Sequence, residues 1–572
     1  MTKIEVRRRS PKGAILAHPE LPPLLRHIYA CRGVNSVDEL SLSATGLLHF
    51  NQLTDCGLAA ERVAQAIQQQ QSICICGDFD ADGATSVALL MQGLSAMGAN
   101  KLFYLVPNRF TDGYGLSPSL VDCAHRDGAQ LIITVDNGVS SHVGVERANQ
   151  LGMDVIITDH HLPSEALPKA YAIVNPNRRD CSFPSKNLAG VGVAFYLLLA
   201  LRAWFRNEQP NHIAAQVNVA NYLDYVAVGT VADVVPLDYN NRILVQQGLA
   251  RIRQRRCAPG ILALIEVAGR SPDNLQATDL GFTVGPRINA AGRLDDIQMG
   301  ITCLLAKDTQ HARMLALQLD ELNRQRRTIE QDMQHDAERL LANVALTEQS
   351  LPTVLAIQNA DWHQGVIGIL AGRLKERLHR PVMAFAPDDE GRLKGSCRSV
   401  PGIHIRDLLE QVSAQSPGCI ERFGGHAMAA GLTVPAAAWD RFYQTVQEVA
   451  ARWINAEALE QVIWSDGELA AQELSVDTVE TIQQAGPFGQ GFPLPLFDGE
   501  FRVVQARWLK DVHLKLVVQP LDSDQIFDAI AFHAKRAPWE WSGETQVRLA
   551  YQLAINEFRG QRNVQLMIQA VL

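Results

Sequence analysis

From about residue 50 to residue 240, short apolar runs alternate with longer stretches in which Ala and Leu recur at helical spacing. The runs are "SICICGD", "KLFYLVP", "QLIITVDNG", "DVIITDHH" and "YAIVNP". Strands alternating with helices predict a mostly parallel sheet covered on both faces. Residues 308 to about 345 contain neither Pro nor Gly and are rich in Leu, Gln, Arg and Glu, which predicts one long helix connecting two units. A second α/β pattern comes next, with the strands "TVLAIQ" and "PVMAFAP", the helical "GVIGILAGRL" and the glycine-rich "RFGGHAMAAG". After about residue 460, short alternating segments such as "FRVVQARWL", "HLKLVVQ" and "VRLAYQLAINEF" predict an antiparallel β unit of the size of a small barrel, an OB-fold. The predicted architecture is thus α/β and multidomain. It comprises an N-terminal extension (1–50), a parallel-sheet domain (51–270), a linker with the connector helix (271–345), a second α/β domain (346–457) and an OB-like barrel domain (458–572). No internal repeat of fixed period is present.

Composition narrows the class. At 572 residues the chain has room for roughly four domains. The N-terminal "MTKIEVRRRS" is basic but lacks the apolar stretch of a signal peptide, and no apolar run reaches the length of a membrane span. Ten scattered cysteines without a Cys-x-x-Cys pair read as reduced thiols of a cytoplasmic protein. The net charge of −9 argues against a surface coated in basic residues. It leaves room for a local basic channel. The clusters "RIRQRR" (Arg251–Arg256) and "NRQRR" (Asn323–Arg327) are either parts of one or solvated helix faces.

Candidate chemistry lies at the ends of the strands. "GDFDADG" places Asp78, Asp80 and Asp82 directly after the first strand. It is not an EF-hand loop. A strand rather than a helix precedes it, and the position that needs a bidentate Glu is Leu89. Asp136 ends the third strand in "VDNG"; Asp159, His160 and His161 end the fourth in "TDHH". In a parallel sheet all of these fall on the carboxyl edge, where ligands bind. Asp233, alone in the apolar "VAVGTVADVVPL", is either a helix cap or one more ligand. Carboxylates and imidazoles without thiolates suit Mn²⁺ or Mg²⁺. Their number is enough for two ions sharing a carboxylate, the arrangement used to hydrolyse phosphate esters.

"DFDADG", "VDNG", "TDHH" and "VGTVADVVPL", in this order, resemble the four motifs of the DHH phosphoesterase superfamily, and "GGHAMAAG" resembles the signature of the domain that accompanies it. "NRFTDGYGLS", "PRINAAGRLDD", "LNRQRRTIE", "DWHQGVIGILAGRL" and "KGSCRS" extend the resemblance over nearly the whole chain, toward the superfamily's single-strand-specific DNA exonucleases. The resemblance implies Mn²⁺- or Mg²⁺-dependent release of 5′-mononucleotides from single-stranded DNA in the 5′ to 3′ direction, in recombination and repair, beside a helicase and a single-strand-binding protein, by a monomer. It implies Asp78, Asp80, Asp82, Asp136, His160 and Asp233 as metal ligands, and catalytic roles for Asp136, Asp159 and His161. His161 is either a further ligand or an acid or electrostatic stabiliser facing the scissile phosphate. Some relatives with a different first motif carry a histidine where this chain has Cys74, so the first ion is expected to be held differently here, with Asp82 compensating. Substrate contacts are implied for Arg109, Tyr114, Arg287, Asn289, Arg293, Ser396, Arg398, Gly424, Gly425 and His426. For Gly424 and Gly425 the competing reading is a tight turn before a helix; for Tyr114, Arg109 and Arg398 it is plain surface or core. His363 in "DWHQG" is a weaker substrate candidate, with a cap or core role equally open. Arg109, Ser396 and Arg398 are expected to meet across the cleft as a pocket for the 5′-phosphate.

Two other functions remain consistent with the residues. One is a phosphodiesterase for short oligonucleotides or cyclic dinucleotides, against which the long connector and the extra C-terminal residues argue. The other is a noncatalytic nucleic-acid scaffold with a decayed site, against which the complete set of motif acids argues.

Overall fold

The computed structural model describes residues 4–12, 14–108, 114–343, 351–388, 390–534, 537, 541–543 and 545–572. Strands are numbered along the chain. The first, β1 (Glu5–Arg8), belongs to an N-terminal segment outside the main sheet. The next five form the predicted sheet: β2 (Ile73–Cys76), β3 (Leu102–Leu105), β4 (Leu131–Val135), β5 (Asp154–Thr158) and β6 (Ala172–Val174). Their order is β3-β2-β4-β5-β6 and every pair is parallel. The strands are apolar at successive positions because the sheet is covered twice. Ile73, Ile75, Ile133 and Ile156 face the larger core, while Cys74, Cys76, Ile132 and Ile157 face a smaller one on the other side. Cys74 therefore belongs to the core, 3.8 Å from Cys76 Sγ.

The connector helix runs from Thr309 to Asn343, 35 residues, or about 52 Å at 1.5 Å per residue. Its first half buries Ala312, Leu315, Ala316 and Leu319 in the core of the parallel-sheet unit. Its second half buries Met333 and Ala337 against the next unit. Between these apolar patches lies a polar seam. Glu330, 7% exposed, accepts from Arg326 at 2.7 Å and from Arg373 at 3.0 Å.

The second unit is a mixed sheet of β7 (Leu355–Gln358), β8 (Val382–Pro387), β9 (Arg392–Arg398), β10 (Arg422–Gly425) and β11 (Ala429–Pro435), ordered β10-β11-β9-β8-β7. Only β7 and β8 pair in parallel. The glycine-rich stretch is a β-hairpin, not a turn before a helix. Gly425, at φ +139°, leads into a tight connection where a Cβ would come within 2.5 Å of the Ala429 carbonyl oxygen.

After β12 (Val462–Ser465) the chain closes into a barrel of β13 (Phe497–Leu509), β14 (His513–Pro520), β15 (Phe527–Ala531), β16 (Gln546–Phe558) and β17 (Gln561–Val571). The expected OB-like barrel is present, with one departure from an all-antiparallel unit: β15 and β17 pair in parallel. That pair seals the cylinder and removes the open edge that β15 would otherwise expose.

The N-terminal segment reaches this C-terminal region directly. β1 pairs in parallel with β12. Arg32 forms a fork with Asp466 at 2.9 and 3.0 Å, and Arg8 reaches the buried Asp498 at 3.1 Å. Arg242, from the first unit, lies over the Phe492 ring at 4.4 Å. Among the described residues no helix is long and apolar enough to cross a membrane.

Candidate metal centre

The acidic loop after β2 is shaped by backbone hydrogen bonds. Asp80 caps the helix Ala81–Ala96, its Oδ1 accepting from the amides of Asp82 and Gly83 at 3.0 Å each. Gly83 permits this fold, because a Cβ there would lie 2.6 Å from the Asp78 carbonyl oxygen. Asp136 comes after β4 in the left-handed region, φ +61°, which Asp tolerates better than most residues. The N-terminus of the helix Gly190–Glu208 packs against it so closely that a Cβ on Gly190 would sit 2.5 Å from Asp136 Cβ. His160 and His161 come after β5, and Asp233 ends the helix Leu223–Ala232.

Among the described residues three overlapping sets of donor atoms lie within 4.8 Å of one another: Asp78, Asp80 and Asp136; Asp136, His160 and His161; and Asp82, His160 and Asp233. His160 Nε2 is 3.1 Å from Asp136 Oδ1 and 3.5 Å from Asp233 Oδ2. Asp136 Oδ1 and His160 Nε2 are both buried, and neither has a hydrogen-bond partner among the described residues. Burial and the neighbouring His161 charge push the His160 imidazolium down to about 3, so its ring is neutral. Burial and repulsion from the other acids push the carboxyls of Asp136 and Asp233 well above the usual range. Lone pairs on neutral imidazole and crowded carboxylates, aimed at shared points, are costly alone and are satisfied by divalent cations. The donor set fits hard ions of the Mg²⁺ and Mn²⁺ type, and Asp136, common to two sets, would be shared if two ions bound.

Two acids from the motifs also hold other groups in place. Asp82, 1% exposed, accepts from the amides of Gly190 at 2.6 Å and Val191 at 2.9 Å and so caps that helix. Burial and the Asp80 charge push its carboxyl up to about 7. Asp159, expected to be catalytic, is turned away from the cleft. Its Oδ1 accepts from both His160 and His161 amides and from His161 Nδ1 at 2.8 Å, and its Oδ2 from the Val139 amide. Asp159 is therefore a positioning residue for His161. Burial alone would lower the His161 imidazolium, but the hydrogen bond and charge of Asp159 outweigh it and raise it to about 9. Tyr114 donates its hydroxyl to the Asp136 carbonyl at 3.0 Å, with His161 Nδ1 3.1 Å away, and leaves its ring half exposed at the mouth.

The second unit faces this centre. His426 stacks on His161 with ring centroids 5.8 Å apart and an interplanar angle of 22°. Ser396 and Arg398, two apart on β9, share one face, and Arg398 donates to Ser396 Oγ at 3.1 Å. Beside Ser396 the neighbouring strands carry Gly431 and then Gly424, which leaves that strip of the sheet without side chains.

Family models for the DHH family N-terminal domain, the DHHA1 domain and the RecJ OB domain match residues 72–230, 351–452 and 465–570. The chain is 52% identical to the single-stranded-DNA-specific exonuclease RecJ of Dickeya dadantii over 98% of both chains. It is 51% identical to that of Escherichia coli over 100% of this chain and 99% of the other. The chain belongs to the RecJ family. The crystal structure of RecJ in complex with Mn²⁺ from Thermus thermophilus matches it with a TM-score of 0.82 at 28% identity, over 100% of this chain and 79% of that one. A RecJ structure with Mg²⁺ from the same organism gives 0.76 at 27% identity, over 99% and 78%.

Within this RecJ-family fold the remaining candidates have distinct tasks. Asn289 accepts from the Ala81 amide at 2.8 Å and so steadies the acidic loop. Arg293 donates to the Gly365 carbonyl at 3.2 Å, across the boundary between the two α/β units. Arg287, expected to bind phosphate, is 7% exposed and committed to Asp320 at 2.7 Å and to the Thr283 carbonyl, bracing the connector helix. His363 Nδ1 accepts from the Gly365 amide at 3.0 Å, the cap reading. Arg109 lies outside the described residues. Gly190 is a functional position that the motifs do not mark. Its signal is the glycine pair in "LAGVGVAF" at a helix start, which by itself does not say what approaches it.

Proposed function

We propose that this chain is a metal-dependent exonuclease that degrades single-stranded DNA from its 5′ end to 5′-mononucleotides, in recombination and repair. The observation that carries the reading is the buried convergence of Asp136 Oδ1 and His160 Nε2, both without hydrogen-bond partners among the described residues, beside Asp233 and the acidic loop. Asp78, Asp80, Asp136, His160 and Asp233 would hold two Mn²⁺ or Mg²⁺ ions, with Asp82 close behind them. Bound there, the ions supply an activated water and neutralise charge on the phosphodiester oxygens. His161, fixed by Asp159 and sandwiched between Tyr114 and His426, is placed to hold a proton against the scissile phosphate. Tyr114 offers a ring for a base to stack on. The open strip beside Ser396 and Arg398 suits a terminal phosphate, and with Arg109 it would set the distance from strand end to metals.

A path for the strand is supported by a cavity of about 770 Å³ where the connector helix, the second unit and the barrel meet. Arg327 lines it together with Phe282 and Phe532, beside Arg326 and Arg373, which are paired with Glu330, and Arg377, which is paired with Glu338. Arginine forks and aromatic faces together bind single strands without reading sequence. All ten cysteines are free thiols, which suits a cytoplasmic enzyme. A helicase and a single-strand-binding protein are the proposed partners, and the chain is proposed to act as a monomer.

The test is digestion of 5′-labelled single strand, blunt duplex and a dinucleotide with Mn²⁺ or with chelator. Mononucleotide release from the single strand alone, and only with metal, is expected. Preferential turnover of the dinucleotide would instead favour a phosphodiesterase for short substrates.

A further inference from the structure

β6 is the edge strand of the parallel sheet, and its ladder with β5 ends at the pair Thr158–Val174. Beyond that point the peptide groups of His160 and His161 have no strand to pair with. Buried peptide groups need partners, and here side chains provide all four. Asp159 takes the two amides, at 2.7 and 3.1 Å. The two carbonyls are taken by Asn175-Pro176-Asn177, the segment that leaves β6. Asn177 Nδ2 donates to the His160 carbonyl at 2.5 Å, and Asn175 Nδ2 donates to the His161 carbonyl at 2.9 Å. The two asparagines are tied to each other, since Asn175 Oδ1 accepts from the Asn177 amide at 2.7 Å. Lys186 pins the segment from behind by donating to the Pro176 carbonyl at 2.7 Å.

We propose that Asn175 and Asn177 are positioning residues for the centre: Asn177 sets the pitch of the metal-facing His160 ring, and Asn175 that of the His161 ring beside the substrate. The proposal rests on the metal-centre reading of the proposed function. A ligand ring is aimed partly through its other ring nitrogen, which for His160 meets the Leu188 carbonyl, and partly through its own backbone; groups that orient ligands typically govern metal affinity by roughly 10–100-fold. The pair differs from an ordinary loop brace in what it touches. Arg178, on the same segment, anchors it to Asp55, to Asp180 and to the Ile173 carbonyl, with no hydrogen bond to either histidine among the described residues.

The experiment is titration calorimetry of Mn²⁺ into the metal-stripped full-length protein, with thermal melts and steady-state kinetics alongside. Asn177 is half-buried and its variants carry the test, because the fully buried Asn175 is the riskier one to replace. Asn177→Ala should bind Mn²⁺ about tenfold or more weakly, and raised Mn²⁺ should recover much of the lost turnover. Asn177→Asp keeps the shape but removes the donor, so it should lose at least as much affinity. Arg178→Met should lower the melting temperature and leave Mn²⁺ affinity intact. Parent-like affinity in both Asn177 variants would overturn the proposal, as would an equal loss of affinity in Arg178→Met. Failure of the unsubstituted protein to bind Mn²⁺ would be a different result: it would sink the metal-centre reading and this proposal with it.

Discussion

At the scale of single residues, the centre is a set of acids that the fold holds closer together than their charges favour. Asp136 shows this most clearly, with a buried oxygen unpartnered among the described residues, a left-handed backbone and a carboxyl pushed up by burial and by its neighbours. Asp136→Asn should therefore leave the metal-stripped protein at least as stable as the parent in a thermal melt, while abolishing turnover at saturating Mn²⁺. A folded Asp136→Asn protein with near-parent turnover would refute the bridging role. Mn²⁺ should raise the melting temperature of the parent and do so far less in the variant, because a ligand that binds only the folded state stabilises it. Gly190→Ala tests the packing behind Asp136. The added methyl meets Asp136 Cβ at 2.5 Å and its Cα at 2.8 Å, and overpacking of this kind typically costs about 1–3 kcal/mol. Both the melt and kcat should fall. An unchanged kcat would mean that Asp136 can move without consequence.

At the scale of elements, the N-terminal segment is a clasp. Arg32 and Asp466 are both buried and paired, and removing one partner of such a pair typically costs about 3–5 kcal/mol. Arg32→Ala should loosen β1 and β12 before the parallel sheet, read as faster amide exchange in residues 5–8 and 462–465. The clasp should also respond to acid. Asp498 is buried, which alone would raise its carboxyl, but Arg8, Ser465 and Arg548 together hold it below the usual range. A depressed carboxyl contributes stability that is present above the unfolded value, about 3.9, and is lost as pH falls through the lower folded value. Protection of the β1 and β13 amides, taken as exchange corrected for its intrinsic pH dependence, should thus fall as pH falls below about 4, and Asp498→Asn should remove that dependence.

At the scale of the molecule, the connector helix, the second unit and the barrel meet around a cavity edged by arginines and two glutamates, although the whole chain is acidic. Arg327 is exposed there. Arg327→Ala should weaken single-strand binding uniformly across sequences and flatten its salt dependence by about one phosphate contact. Equal salt slopes for variant and parent would place the strand elsewhere. Arg287→Ala should instead act on stability, since it releases Asp320 on the connector helix, and should leave the salt slope unchanged.

The strands β2 to β6, the connector helix and the barrel are legible in the chain because burial on both faces, helical spacing and period-two alternation are written locally. Asp78, Asp80, Asp136, His160 and His161 are legible for a topological reason: every parallel strand ends on the same edge. Local pattern does not say where a side chain turns once it is there. Asp159 looks inward to His161 and Asp82 to a helix that begins more than a hundred residues later, because amides with no other partner await them. The glycine-rich segment forms a hairpin rather than a turn before a helix because glycine permits a tight connection without specifying the element on its far side. The parallel closure by β15 and β17, the clasp of β1 on β12 and the commitment of Arg287 to Asp320 all join segments distant in the chain. The sequence determined which groups reach the cleft edge; tertiary packing alone decided which of them face it, since that depends on backbone groups no short stretch can foresee.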